Sequence, residues 1–261
     1  MIPSPTSIYS HPAYWDLLFR DETRREAEFF EAAFRRYVPF AVRQLLEPGC
    51  GSGRLVVEMA RRGYRVLGFD RNRQALEYLR SKLRRRRLAA HVQVFEADLA
   101  EFRLDQPVDA AFCTFNTFRH LLDEASARRH LESVAKAVQP GGIYILGLHL
   151  LPADVSEHSE ERWQARHGRL SLHATLRVVA FDRRKRQERL RLVVRVGTPR
   201  RTIRLVDVWP MRIYTPSQMR RLLARVPAWE LVDVFDFWYE MDRPRGLDEE
   251  MVDTVLILRR R

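Results

Sequence analysis

Leu45-Leu46-Glu47-Pro48-Gly49-Cys50-Gly51-Ser52-Gly53, with Asp70 seventeen residues beyond its last glycine, is the stretch that decides the fold. An apolar strand runs into a glycine-dense turn, a helix starts, and a second strand ends at Gly68-Phe69-Asp70. A doubly wound α/β sheet builds a nucleotide site in this way, at the carboxyl ends of its first two strands. Glycine lets the backbone turn tightly and approach a ligand closely. A carboxylate at the end of the second strand can accept both hydroxyl protons of a ribose.

The glycine spacing narrows the ligand. A dinucleotide fingerprint reads G-x-G-x-x-G and a phosphate loop G-x-x-x-x-G-K-[ST]. Here the pattern is G-x-G-x-G, preceded by Glu47, with Arg54 where a phosphate loop carries lysine. The spacing disfavours a dehydrogenase. Glu-x-Gly-x-Gly-x-Gly resembles the first motif of class I methyltransferases, which bind S-adenosylmethionine.

Outward from the turn, residues 1–20 read as aromatic-rich and irregular, and 21–37 as an amphipathic helix with Phe29, Phe30, Ala33, Phe34 and Tyr37 near one face. Strand one is expected at 42–48, a helix at 52–62 capped by Gly63, and strand two at 65–70. A helix over 72–87 ends in Arg84 to Arg87, cations that suit its exposed carbonyls. Strands three and four are expected at His91–Phe95 and Val108–Cys113, the latter buried on both faces. A helix over 124–138 leads through a Pro140-Gly141-Gly142 turn to strand five, Ile143–Leu148. The βα rhythm then breaks. Residues 154–167 are polar and mixed, and 168–181, 186–197 and 201–209 read as antiparallel strands. In the second of these, Leu190, Leu192, Val194 and Val196 alternate with Arg189, Arg191 and Arg195. A helix from Thr215 to about Val226 and strands at Trp229–Phe237 and Met251–Leu258 close the sheet, the last one antiparallel.

The expected fold is therefore α/β, a doubly wound Rossmann-like seven-stranded sheet with an antiparallel β insertion after strand five. Residues 1–37 form an N-terminal lid and helix, 38–152 and 205–261 the core, and 153–204 the insertion. The 261 residues, 46% hydrophobic, suffice for one large domain. No apolar run of about 18 residues signals a membrane span, and the N-terminus lacks the basic and apolar regions of a signal peptide. Two cysteines, Cys50 and Cys113, form neither a disulfide framework nor a zinc pattern. A cytoplasmic location is expected, with no membrane partner and no metal.

The resemblance to class I methyltransferases covers roughly 38–150 and 210–261. Glu96-Ala97-Asp98-Leu99 resembles the motif whose acidic residue binds the adenine amino group. Tyr14-Trp15-Asp16-Leu17-Leu18-Phe19 resembles the lid segment of small-molecule methyltransferases, a group in which a β-rich insertion also occurs. The resemblance implies S-adenosylmethionine as cofactor. Gly49, Cys50, Gly51 and Gly53 would form the turn that admits it, and Glu47 would lie beneath its amino-acid end. Asp70 would take the ribose hydroxyls and Arg71 pack on adenine. Asp98 and Leu99 would read the base, Phe115 would follow strand four near the methionine ammonium, and Tyr14 would close over the carboxylate.

Methyl transfer from a sulfonium needs alignment above all, and a base only where the nucleophile arrives protonated. His120 and His149 are the candidates by position, since histidine has a reference pKa near 6.5; a structural hydrogen bond is the alternative for each. The expected partner is a small-molecule acceptor with an N or O nucleophile. Signatures of nucleic-acid base methylation are missing: Asn116 is followed by no proline, and no Pro-Cys pair occurs. Cys113 reads as a small buried hydrophobe.

The net charge is +12, and 43 of the 46 basic residues are arginine, a coding bias more than a functional signal. Residues 183–204 nevertheless hold ten basic residues against one acidic, Glu188. That face leaves open a nucleic-acid backbone, an anionic small substrate, a solvated surface or a homodimer contact. The alternatives to a small-molecule enzyme are an RNA methyltransferase, with nucleic acid a less favoured partner, and a non-catalytic cofactor-fold binding module.

Overall fold

A computed structural model describes residues 7–151 and 160–261. The first six residues of the expected N-terminal unit, and the expected 152/153 boundary of the insertion, lie outside the described residues. The larger sheet has the order β10-β11-β5-β4-β1-β2-β3. Its strands are β1 (Gln44–Pro48), β2 (Arg65–Asp70), β3 (Val92–Glu96), β4 (Val108–Cys113), β5 (Val138–His149), β10 (Trp229–Phe235) and β11 (Asp253–Arg260). Only β11 runs against the rest, pairing antiparallel with both β5 and β10. The chain order reverses between β1 and β4, which places the crevice of an α/β sheet beyond their carboxyl ends.

Helices cover both faces because each presents one apolar stripe. On one face, α2 (Glu22–Tyr37) buries Phe29, Phe30, Ala33 and Phe34, and packs with α3 (Arg54–Arg61) and α4 (Arg73–Arg85). On the other, α5 (Glu124–Ala137) and α6 (Pro216–Ala224) bury Leu131, Val134, Met219 and Leu222. Thr215 and Gln218 close a full capping box on α6. Gly63 follows α3 at φ +96° with its N–H on the Ala60 carbonyl.

A four-stranded antiparallel sheet, order β6-β7-β8-β9, stands over the cleft, with strands at Glu160–His167, Leu170–Asp182, Gln187–Gly197 and Thr202–Arg212. Its inner face carries Leu172, Leu192, Val194 and Leu205, which pack on Ile8, Leu17, Leu18 and Phe19. The N-terminal segment is thereby wedged between insertion and core.

Four differences from the sequence reading have physical causes. The segment read as irregular contains a helix, α1 (Pro12–Leu18), started by a proline whose fixed φ suits the first helical position. Its order comes from packing against the insertion. The polar stretch before Gly168 contains an edge strand, β6; its positions alternate between exposed and half-buried, so no apolar period betrays it. Strand β9 runs on to Arg212, so residues 205–212 belong to the insertion sheet. Pro140-Gly141-Gly142 is part of β5 rather than a turn before it. The strand is irregular there, with Gly141 at φ +82°, and a Cβ on Gly142 would lie 2.3 Å from the Asp109 carbonyl oxygen. Glycine is required for that close approach.

Candidate active site

A cavity of about 1380 Å³ follows the carboxyl ends of β1, β2, β4 and β5 and continues beneath the insertion sheet. Its floor is the glycine turn, where Gly49, Gly51 and Gly53 all have left-handed φ of +67°, +50° and +69°. A Cβ on Gly49 would meet Thr117 Cγ2 at 2.5 Å, and one on Gly53 would meet Leu79 Cδ1 at 2.2 Å. At Gly51 it would meet nothing within 4 Å. Gly51 and Gly49 line the cavity, whereas Gly53 is buried against α4. Gly53, expected with its neighbours to form the turn that admits the ligand, packs against Leu79 of α4 and does not itself line the cavity. Cys50 lines the cavity too, but its thiol is buried and pushed well up by that burial, so it offers no nucleophile.

Asp70 shapes the turn as well as facing the cavity. Its Oδ2 accepts the Gly51 N–H at 2.9 Å and its Oδ1 the Asn72 N–H at 2.8 Å. Burial raises its pKa, and those two backbone donors oppose the rise. At the end of β1, Glu47 is 9% exposed, and its Oε2 has no hydrogen-bond partner among the described residues. Burial pushes its carboxyl up to about 8, with Arg54 opposing and Glu26 adding to the rise. Arg54 is committed elsewhere: its Nη2 lies 2.6 Å from Glu26 Oε1. Thr114 donates to the other Glu26 oxygen at 2.9 Å.

At the opposite end of the cradle, Asp98 Oδ1 accepts the Ala100 N–H at 2.7 Å, fixing the loop after β3. A histidine that sequence reasoning missed braces this loop from below. His130 on α5 is fully buried, with Nδ1 at 2.7 Å from the Leu99 carbonyl and Nε2 at 2.8 Å from the Tyr144 hydroxyl. A carbonyl only accepts, so Nδ1 carries the proton and Nε2 accepts from Tyr144. Burial lowers the His130 pKa to about 4, keeping it neutral. Arg71 is exposed at the cavity rim.

Phe115 and Asn116 follow β4 with φ of +61° and +63°, a strained pair of non-glycine residues that lines the cavity. The Phe115 ring meets Phe19 edge-on at 4.4 Å, and the Arg54 guanidinium lies over it at 5.7 Å. Tyr14 does not line the cavity; it stacks on His11 at 5.3 Å. From the N-terminal segment, where the sequence expected Tyr14 to close over the cofactor's carboxylate, Tyr9 and Trp15, stacked at 5.8 Å, line the cavity instead. Helical geometry explains the exchange. Neighbouring residues of α1 point in different directions, so Trp15 faces the cavity while Tyr14 turns aside.

The two candidate bases have different surroundings. His120 opens onto the cavity, and its pKa is lowered by burial and then by Arg71 and Arg119. His149, at the end of β5, is also driven down, to about 4, by burial and Arg119. Its Nε2, however, lies 3.3 Å from Asp253 Oδ1, and its backbone N–H donates to Asn116 Oδ1 at 2.7 Å. Arg119 is itself buried in an ion pair with Glu188, the lone acid of the basic insertion segment.

Beneath the insertion the cavity is lined by the aromatic side chains of Phe19, Trp163, Trp209 and Phe237 and by three carboxylates, Glu22, Glu161 and Asp253, with Arg25 and the ion-paired Arg119 beside them. Burial raises all three carboxyl pKa values, and Glu161 is raised further by Asp253. Among the described residues, the carboxylates of Glu22 and Glu161 have no ion-pair or hydrogen-bond partner. Sequence reading did not find these acids, because they come from α2, β6 and β11 with no shared spacing. Leu190 and Leu192 line the cavity, while Arg189, Arg191 and Arg195 are exposed on the other face of β8. The arginine face is thus turned away from the cleft and cannot bind a small acceptor inside it. Among the described residues, no group of three His, Cys, Asp or Glu could hold a metal ion, and no helix is long and apolar enough to cross a membrane.

Sheet order, glycine turn and strand-end carboxylate together give the fold of the class I methyltransferases, enzymes that use S-adenosylmethionine. Residues 45–142 match the sequence profile of a methyltransferase domain family. The ubiquinone biosynthesis O-methyltransferase of Alkalilimnicola ehrlichii is 36% identical over 101 residues, 38% of this chain and 39% of that protein. The cypemycin N-terminal methyltransferase of a Streptomyces species is 30% identical over 108 residues, 41% of this chain and 42% of that one. The matches span between 39% and 57% of the lengths of the curated relatives. An amino pentose methyltransferase from Micromonospora echinaspora, solved with S-adenosylmethionine bound, superposes with a TM-score of 0.69 at 20% identity, over 92% of this chain and 91% of that one.

The cradle fits the cofactor on its own geometry. Gly51 leaves open the space that a Cβ would fill, and the Glu47 oxygen without a partner suits an ammonium group. Asp70 keeps lone pairs for a diol.

Proposed function

We propose that this chain catalyses methyl transfer from S-adenosylmethionine to a small-molecule nucleophile, and that the nucleophile is an amine nitrogen. The observation that carries the reading is the continuity of one cavity, from the cradle of Glu47, Gly51 and Asp70 to the acid-lined half under the insertion. Three carboxylates among aromatic walls favour a cationic group over a neutral hydroxyl or a phosphate. The relatives include both an N-terminal methyltransferase and an O-methyltransferase, so the choice of nitrogen rests on this lining.

The bound cofactor supplies an activated methyl group on a sulfonium. The chain then has to align an acceptor with it and relieve that acceptor of a proton. Holding both partners in one walled cavity converts a bimolecular encounter into an intramolecular one, which can supply several kcal/mol of the barrier reduction. Glu22, Glu161 and Asp253 attract the acceptor as an ammonium. His149, neutral at pH 7, takes its proton, and Asp253 beside Nε2 favours the imidazolium that results. His120 suits that task less, because the nearby guanidiniums of Arg71 and Arg119 oppose a second cation.

Calorimetric titration with S-adenosylmethionine and S-adenosylhomocysteine, with NADH as control, tests the cofactor. Micromolar binding of the first two alone is expected. Product formation from a panel of primary amines and matched alcohols then tests the acceptor. Turnover confined to the alcohols would refute the amine assignment, and no cofactor binding by the folded protein would bring forward the binding-module reading.

A further inference from the structure

Lys82 of α4 is 7% exposed and lies against Asp16 of α1. Its Nζ donates to Asp16 Oδ2 and, at 3.3 Å, to the Ser52 carbonyl. Asp16 Oδ1 accepts the Ser52 hydroxyl at 2.6 Å, and Oδ2 also accepts the Tyr78 hydroxyl at 3.0 Å. One carboxylate on the N-terminal helix thus gathers donors from the glycine turn and from α4. Burial depresses the Lys82 pKa and Asp16 opposes that fall, so the ammonium depends on its partner.

A pair this enclosed is a poor stability device. The desolvation of two charges largely cancels their attraction, and apolar replacements are often neutral or stabilising. Its placement is more informative. Ser52 sits between Gly51, whose N–H goes to Asp70, and Gly53, where α3 begins. The residue beside Asp16 is Trp15, which lines the cavity and stacks on Tyr9. The Tyr9 carbonyl accepts from Asn72 Nδ2 at 3.1 Å, and the Asn72 N–H binds Asp70 Oδ1. The N-terminal segment is therefore tethered at two points, each one residue or two from the groups that form the ribose end of the cradle.

We infer that Asp16 and Lys82 are positioning residues for the cofactor site, holding α1 on the glycine turn so that the Tyr9–Trp15 wall closes over the ligand. The inference rests on the cofactor reading above. It makes cofactor residence depend on a contact that touches no ligand.

The test compares wild type with Asp16→Asn, Lys82→Met and the double variant. The readouts are the melting temperature, S-adenosylhomocysteine affinity and dissociation rate, and hydrogen exchange over residues 12–18. Charge-assisted hydrogen bonds of this kind predict about a tenfold or greater loss of affinity in Asp16→Asn, mostly as faster dissociation, with faster exchange in α1. In the double variant, which leaves no lone buried charge, the melting temperature should return close to wild type while the affinity stays low. A double variant that melts like wild type and binds within about twofold of it would overturn the inference. Failure of wild type to bind S-adenosylhomocysteine would instead remove the cofactor reading on which it stands.

Discussion

Gly51 and Gly53 lie two residues apart in one turn, share a left-handed conformation, and should respond to the same substitution in opposite ways. The left-handed region costs an L-residue about 1–2 kcal/mol at either position. At Gly51 that is the whole penalty to the free protein, because a Cβ there meets nothing within 4 Å. At Gly53 the new methyl would stand 2.2 Å from Leu79 Cδ1 and 2.6 Å from Cδ2. Leu79 is fully buried and cannot yield, so overpacking adds about 1–3 kcal/mol. Gly53→Ala should therefore lose about 2–5 kcal/mol and melt on the order of 10 °C lower, against a few degrees for Gly51→Ala. Binding should rank the other way. The Gly51 methyl projects into the cradle and should reduce S-adenosylhomocysteine affinity severely, while folded Gly53→Ala retains most of it. Thermal unfolding and calorimetry on the two variants decide the matter. Equal melting losses, or wild-type affinity in Gly51→Ala, would show that the two glycines do not divide the work in this way.

Glu47 makes free-protein stability pH-dependent. Its folded pKa of about 8 exceeds the usual 4.5, so across that window the native state holds a proton that the unfolded chain has released. Stability should fall as pH rises from about 4.5 to 8, by up to roughly 5 kcal/mol, and Glu47→Gln should flatten the slope in thermal melts. Binding of an ammonium beside Glu47 should expel that proton, visible at pH 7 as a buffer-dependent calorimetric enthalpy that Glu47→Gln abolishes. Arg119→Ala strands Glu188 as a buried charge and should cost about 3–5 kcal/mol in chemical denaturation, whereas the Arg119→Met/Glu188→Gln double variant should recover most of it. His149→Asn should lower kcat with an amine acceptor by about a hundredfold at unchanged S-adenosylhomocysteine affinity. An equal loss from His120→Asn alone would transfer the base to that residue.

The sequence by itself determined the parts of this protein whose information is local. Glu47, the glycine turn and Asp70 fall within 24 consecutive residues, and the strand-turn-helix-strand unit they form needs no distant partner to be recognised. The apolar run of β4, the alternation in β8 and the cap at Gly63 are local for the same reason. Tertiary structure decided whatever depends on which faces meet. Gly53 resembles its neighbours until Leu79 arrives from α4. Tyr14 looked like the lid residue until α1 set Trp15, one position on, against the cavity. His130 reads as one polar position on a helix, and only the fold brings Leu99 and Tyr144 to its two nitrogens. Glu22, Glu161 and Asp253 lie far apart in the chain and meet only because an insertion sheet, a core strand and a helix converge on one cavity. Periodicity reports which side of an element is buried. It carries no term for what that side is buried against, and in this chain the acceptor half of the site consists almost wholly of such contacts.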